Sequence, residues 1–443
     1  MKITLIKPRI GRMERSLYVD EGRMEPLQLG VLAGLTPPDV DIKMFDDRID
    51  PPDYDEPTDL AAITVETFTA RRAYEIAEEY RKRKVPVIMG GMHPTLIPQE
   101  VRQHADSVYT GDAEFLWPKV IEDAREGNLR PMYRASTGVP QPNILTRRDM
   151  FMGKGYLPLS LIQFSRGCVH QCNFCATSVY FKHKHYCRNV QEVVAEIEQQ
   201  GSKRLFFVDD NFSANREAAK LFLRALIPLK ITWVGQVSID CTEDLELVGL
   251  MQKSGCLGFV IGFESIYADT LRFMNKSPNL KGFQRYRTQL KILSDHGLQV
   301  WAAFTLGYDY DTAESIEKTL TFALENRFCF AAFNILMPYP NTPLHAKLKE
   351  EGRLLYDGHW WLHPEYRFNY AAFKPKHLSP DQLTEACFAA RKKFNSFGSM
   401  IKRAFDPRTN RKSLFRLGLF FTYGRLAKRE VYKKQGLTFG LGQ

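Results

Sequence analysis

Three cysteines, Cys168, Cys172 and Cys175, stand within eight residues in the run Gly167-Cys168-Val169-His170-Gln171-Cys172-Asn173-Phe174-Cys175, while the other five of the chain's eight are scattered. Two thiols at a Cys-x-x-Cys spacing suit zinc or a redox dithiol. Three at a three-then-two spacing, with no obvious fourth ligand nearby, suit an iron–sulfur cubane, which normally takes four thiolates. Supplying only three leaves one iron open to coordinate a substrate. The alternative is structural zinc with His170, His183, His185 or Cys187 as the fourth ligand. Cys187, Cys241, Cys256, Cys329 and Cys387 otherwise read as small buried hydrophobes. Disulfides are not expected in a reducing compartment.

The elements that must position this run are a β/α series. Strands are expected at Leu159–Phe164, Arg204–Val208, Thr232–Val237, Phe259–Ile261, Val300–Leu306 and Ala331–Leu336, with helices such as Val190–Gln200, Leu245–Ser254 and Gln284–His296 between them. Six β/α units in about 180 residues suit a partial (β/α)6 TIM-like barrel, too short for eight. The cysteines then follow its first strand, on the rim where such folds keep their sites. Before it, Ile3–Lys7, Val40–Phe45, Leu60–Val65, Val85–Met89 and Ser107–Tyr109 alternate with helical stretches such as Ala70–Lys84. That pattern is an α/β, doubly wound (Rossmann-like) parallel sheet, whose ligands bind beyond the carboxyl ends of the strands. The organisation expected is 1–130 as the first domain, 131–157 as a linker, 158–345 as the barrel and 346–443 as a helical, basic C-terminal region.

The cysteine spacing after a first barrel strand resembles the radical S-adenosylmethionine (radical SAM) superfamily. The resemblance implies a [4Fe–4S] cluster on Cys168, Cys172 and Cys175, its open iron chelated by S-adenosylmethionine. Reduction of the cluster, by a donor such as a flavodoxin or ferredoxin, then yields a 5′-deoxyadenosyl radical. It also implies that Phe174 lies near the adenine. Asp209, Asp210 and Asn211 stand where the superfamily usually has Gly-Gly-Glu. Gln236, Ser238 and Asp240 follow the third strand and Glu264 the fourth, where polar groups hold the carboxylate and ribose. Each of these, taken singly, is equally readable as a cap or turn residue.

The first domain resembles the cobalamin-binding domain of one large radical SAM subfamily. Glu25-Pro26-Leu27-Gln28-Leu29-Gly30 matches the stretch opening its first helix. Thr64 and Thr67 follow the third strand, Gly90, Gly91 and His93 the fourth, and Gly111 to Glu114 the fifth. Many cobalamin proteins place Asp-x-His-x-x-Gly after the second strand; here the stretch is Asp46-Asp47-Arg48-Ile49-Asp50. Arginine stays protonated and cannot ligate a metal, so cobalamin would bind base-off. The stretches Trp233–Asp240, Ile261–Ser265 and Met337–Leu344 are similar to the branch that includes the hopanoid C-3 methylase and related enzymes acting on lipids or tetrapyrroles. The function this implies is cobalamin-dependent methylation of an unactivated carbon in a small, hydrophobic substrate. A radical oxidative cyclase, C–C coupling or rearrangement enzyme without methyl transfer, and a non-catalytic cobalamin or cluster sensor, are the alternatives. No acid or base is identifiable; His93, Tyr308, Asp309, Tyr339 and Trp360 are candidates for lining the cavity.

Charge narrows the partners. The net charge is +10, yet residues 391–443 hold fourteen Lys and Arg against two acids. The first 390 residues are therefore slightly acidic, which argues against nucleic acid. The tail stretch Ser413–Leu426 mixes apolar, aromatic and basic residues. It suits either peripheral contact with an anionic membrane or a helix covering the barrel's open side. No apolar run approaches the roughly 20 residues of a membrane span, and the first residues read as a strand rather than a signal peptide. A cytoplasmic location is the expectation.

Overall fold

A computed structural model describes residues 1–11, 23–139, 142, 144 and 146–441. Six short apolar strands form a first sheet: β1 Lys2–Lys7, β2 Asp41–Asp46, β3 Leu60–Thr64, β4 Val87–Gly90, β5 Ser107–Thr110 and β6 Met132–Arg134. Their spatial order is β2-β1-β3-β4-β5-β6 and every pair is parallel. From β1 the chain adds β2 on one side and β3 on the other, which creates a crevice at the carboxyl ends of β1 and β3. The helix Ala70–Lys82 illustrates the cladding, burying Ala70, Ala73, Tyr74, Ile76, Ala77 and Tyr80 at helical spacing. Strand β6 falls in the stretch expected to be linker. Three residues held only by β5 carry no periodic signal in a sequence. Residues 140, 141, 143 and 145 of that stretch lie outside the described residues.

The second sheet uses β7 Ser160–Ile162, then, after the paired segments β8 Ser165–Gly167 and β9 His185–Cys187, β10 Arg204–Phe207, β11 Thr232–Val237, β12 Cys256–Glu264, β13 Gln299–Leu306 and β14 Phe330–Ile335. The order is β14-β13-β12-β11-β10-β7, all parallel, and the edge strands β7 and β14 do not pair. The six expected strands are present as an open sheet. Leu205, Phe207, Trp233, Phe304 and Phe333 are buried on its outer, helix-covered side. There Phe164 and Phe222 stack with centroids 4.2 Å apart and Phe207 packs edge-on against Trp233. Asn189 caps the helix Val190–Gln200 and Thr312 forms a capping box on Ala313–Glu325, which fixes where these connections begin.

Beyond β14, the helices Pro343–Glu350, Pro380–Phe394, Phe397–Ala404 and Leu414–Lys434 are separated by irregular chain. This region is not separate. Trp360, Trp361, Tyr366 and Phe439 share a core with Ile6, Ile63, Tyr74 and Val87 of the first sheet's layers.

Candidate functional site

The cysteine loop leaves β8 through Gly167. Its φ of +83° suits glycine, and a Cβ there would lie 2.2 Å from the Lys184 carbonyl oxygen. Two carboxylates anchor this departure. Asp209, buried, accepts from the Phe164 amide at 3.2 Å and from both the amide and hydroxyl of Ser165. Asp210 accepts from the Gly167 amide at 2.8 Å and from Thr177 at 3.2 Å. Burial pushes Asp209 up to about 7 and raises Asp210, opposed in each case by these hydrogen bonds. The oxygens of both are thus engaged with the chain around the loop.

The rest of the loop is tied to the ends of two other strands and to the chain following the helix Ala268–Phe273. The Asn173 side chain donates to the Phe273 carbonyl at 2.7 Å and accepts from the Tyr308 hydroxyl at 3.1 Å. Asn275 donates to the Gln171 carbonyl at 2.9 Å. Asn211 bonds Ser238 through both its amide groups and lies 4.0 Å from the Cys168 sulfur. Phe174 meets Tyr308 edge-on at 6.3 Å. Gln236 donates to the Asp209 carbonyl at 3.2 Å. Asp240 lies 3.5 Å from Arg216.

Glu264 and Lys276 complete the site. Glu264 sits at φ +61° where the β12–β13 register shifts, and pairs with Lys276 at 3.1 Å and Thr305 at 2.7 Å. Burial alone would lower the Lys276 ammonium, but Glu264 and the thiols of Cys172 and Cys175 raise it well above its usual value. Burial raises the Cys168 thiol and pushes Cys172 up to about 12, while Lys276 pulls both the other way. Lys276, Thr305 and Asn173 were not singled out from sequence. A lysine twelve residues past a strand end has no motif to mark it.

The donors can be tested against the groups the sequence implies. All eight cysteines are unpaired. His183 turns towards the His170 carbonyl and Cys187 towards His185 at 3.8 Å, so neither joins the loop thiols. Among the described residues, no three Cys, His, Asp or Glu side chains gather around one point as a single ion requires. Thiolates on different irons of one cluster stand further apart than the ligands of one zinc. Three thiols on a loop, with the half-buried Lys276 ammonium beside them to favour thiolate, fit a three-ligand cluster.

The strand ends of the first sheet face this loop. Arg166, immediately before Gly167, bonds Glu114 at 2.7 Å and Asp112 at 3.1 Å, and Tyr180 donates to Asp112 at 3.0 Å. His93 is fully buried, bonded to Glu100 at 3.1 Å and Thr67 at 3.3 Å. Tyr74 and Trp361 also donate to Glu100, at 2.8 and 3.0 Å. Arg48 folds back on Asp46, at 2.9 and 2.7 Å. Trp360 lies inside the aromatic core and Asp309 pairs with Arg353 and Lys376. Thr64, Gly90 and Gly91 are half-buried at the strand ends, whereas Gly111 is buried and its amide donates to Thr95 at 3.0 Å. Gly91 has φ +116°, and a Cβ there would lie 2.9 Å from the Val65 oxygen. A glycine cradle without a ligating side chain fits a flat cofactor bound base-off.

Residues 162–323 match the Radical SAM superfamily. This segment is a radical SAM domain. The whole chain is similar to the bacteriochlorophyllide d C-12(1)-methyltransferase of Chlorobaculum tepidum, 29% identical over 417 residues that span 91% of this chain and 89% of that one. It is similar also to the hopanoid C-2 methylase of Rhodopseudomonas palustris, 24% identical over 75% of this chain and 66% of the relative. Among solved structures, the radical S-adenosylmethionine methyltransferase TsrM from Kitasatospora setae, with cobalamin and a [4Fe-4S] cluster bound, superposes over 98% of this chain and 99% of its own. The TM-score is 0.61 at 16% identity, a likeness of fold. The radical SAM domain and the sheet preceding it therefore share one architecture with TsrM. No described helix is long and apolar enough to cross a membrane.

Proposed function

We propose that the protein is a cobalamin-dependent radical SAM enzyme that methylates an unactivated carbon of a hydrophobic, tetrapyrrole- or lipid-like substrate. One observation carries this reading: the three-cysteine loop at the ends of the second sheet faces the glycine cradle of the first, with Arg166 bonded across the seam. The relatives named as methyltransferases of tetrapyrroles and hopanoids supply the substrate class. Cys168, Cys172 and Cys175 would hold the cluster, and backbone at Gly90 and Gly91 would receive the cobalamin. Those groups, when bound, supply one-electron cleavage of S-adenosylmethionine and methyl transfer.

The protein's own residues position and shield. Asp209 and Asp210 fix the loop's first residues, and Asn173 and Asn275 hold its middle. Lys276, half-buried beside two thiols, favours their ionised form and is itself kept in place by Glu264 and Thr305. Phe174 and Tyr308 close the apolar side of the loop, excluding water. Ser238, Gln236 and Asn211 offer the remaining polar edges for a cosubstrate. An external reductant such as a flavodoxin or ferredoxin completes the scheme. Contact with an anionic membrane would rest on the exposed basic residues of the C-terminal region, among them Lys402, Arg408, Arg411, Arg425 and Arg429.

The test is anaerobic reconstitution with iron, sulfide and hydroxocobalamin, then incubation with S-adenosylmethionine and dithionite. About four irons per chain, a base-off cobalamin spectrum and formation of 5′-deoxyadenosine and S-adenosylhomocysteine are expected. Formation of 5′-deoxyadenosine without S-adenosylhomocysteine, in the presence of substrate, would replace methyl transfer by cyclisation or rearrangement.

A further inference from the structure

The inner face of the second sheet is not filled. Phe206, Val234, Val260 and Ala332 point away from the helix-covered side into a cavity of about 530 Å³, a volume typical of small-molecule sites. Its opposite wall is the helix Leu414–Lys434, whose Leu419, Tyr423 and Leu426 face the sheet. The apolar side of that helix is therefore turned into the molecule. In a wall otherwise mostly apolar stands Arg391, 5% exposed. Its Nε donates to the Phe333 carbonyl at 2.9 Å and its Nη1 to Gln435 at 2.8 Å. Its Nη2 is buried with no partner. A buried guanidinium with an idle N–H is costly unless something negative meets it.

The cavity adjoins the radical site. Val234 in its wall and Gln236 at the strand end lie two residues apart on one face, about 7 Å. Asn334, also in the wall, is the register partner of Thr305, which holds Glu264. A molecule lying along this face reaches from Arg391 towards the residues around the cysteines.

Resting on the reading of the protein as a radical methylase, we infer that this cavity seats the substrate, and that the substrate is an apolar carboxylic acid whose carboxylate pairs with Arg391. An elongated acyl or isoprenoid acid and an apolar macrocycle bearing one acid side chain share that chemistry. Arg391 reads the charged end, the sheet and the C-terminal helix enclose the apolar part, and the distal carbon is left at the strand ends. The sequence left the tail open between a helix covering the barrel's open side and contact with an anionic membrane, and gave no role to Arg391.

The test is equilibrium dialysis of the reconstituted protein with pyropheophorbide a, its methyl ester and palmitate. The free acid is expected to bind at least about tenfold more tightly than the ester, the loss of a charged hydrogen bond. Ala332→Phe, which fills the cavity, weakens acid and ester alike by about tenfold or more. Arg391→Met removes the preference for the acid while leaving the ester's affinity within about twofold. Should Arg391→Met fail to fold, the acid–ester ratio of the unmodified protein and the Ala332→Phe result still decide. Displacement of the chlorin by palmitate assigns the acid to an acyl source; binding of the chlorin alone assigns it to a tetrapyrrole. Equal binding of acid and ester, unchanged binding in Ala332→Phe, or no binding of either acid overturns the inference. 5′-Deoxyadenosine formation, measured on the same samples, reads the radical chemistry separately: binding lost with that product intact sinks the cavity assignment alone.

Discussion

The strand ends of the two sheets are prepared for ligands in opposite ways. At the first sheet the polar side chains are closed on protein partners: His93 on Glu100, Glu114 on Arg166, Arg48 on Asp46. What remains partly exposed there is the chain at Thr64, Gly90 and Gly91. At the second sheet the Cys168 thiol meets only neutral donors, the His170 backbone and a distant Asn211, while the charged groups nearby are fixed by one another. A group seated at the first sheet must be gripped by shape and main chain. A group seated at the second is gripped by donors. Substitutions should therefore separate the two cofactors cleanly, and where they do not, the division is wrong.

The largest expected effect is at the donors. Replacing Cys168, Cys172 or Cys175 by Ala should cut 5′-deoxyadenosine formation by at least about a thousandfold, since no step proceeds without the cluster. Iron content falls with it, and cobalamin content, read from the absorbance spectrum, stays as in the unmodified protein. Loss of cobalamin in the same variants would mean that the sheets do not hold their cofactors independently. Next is the seam. Arg166→Met leaves Asp112 and Glu114 buried without their cation, and breaking a buried pair on one side costs about 3 kcal/mol. A lowered urea midpoint is the measurement. Because Arg166 precedes Gly167 directly, iron retention should fall as well, while Arg130→Met, at the exposed partner of Asp123, should change neither.

How far this division was legible in the sequence depended on the length of each signal. The strands that carry the two sheets were read because apolar runs recur between amphipathic helices, and ten of them lie within a few residues of their expected places. The eleventh, Phe259–Ile261, is the core of the longer β12, whose glycines at 258 and 262 interrupt its apolar pattern. The three-residue segments β6, β8 and β9 left no trace, since each is defined by its partner rather than its own pattern. Among the site residues, the cysteines announce themselves by spacing. Asp209, Asp210 and Asn211 were placed correctly at a strand end, but the atoms they bond could not be read, because burial and hydrogen bonding come from distant chain. Lys276 reaches Glu264 only because a left-handed Glu264 and a register shift turn the carboxylate inward. Tertiary geometry of that kind has no signature in one sequence.

A smaller effect sharpens the first sheet's side of the comparison. Gly91→Val places a side chain at φ +116° and within 2.9 Å of the Val65 oxygen. Strain of that kind costs about 1–3 kcal/mol and narrows the backbone approach that a flat cofactor needs. Cobalamin retained after gel filtration should drop about tenfold, the equivalent of 1.4 kcal/mol, while iron content is unchanged. Unaltered cobalamin would show that the cradle is not at Gly91.

The smallest effect concerns how each sheet buries a carboxylate. Asp47, in the first sheet's layer, is ion-paired with Arg72 at 2.9 Å and Arg9 at 3.3 Å. Asp209 has only neutral donors, Phe164 and Ser165, and burial lifts it to about 7 from an ordinary 3.8. Between these values the folded protein holds a proton that the unfolded chain has released. Stability contributed by this group is therefore highest below about pH 4 and declines as pH rises to about 7, by up to 1.4 kcal/mol per pH unit. Above that range both states are ionised and the slope vanishes. Asp209→Asn cannot ionise, so urea unfolding of the variant should lose this component of the slope between about pH 5 and 7 while keeping a bond to the Ser165 amide. An identical slope in the two proteins would mean that the second sheet, like the first, compensates its buried carboxylate with charge.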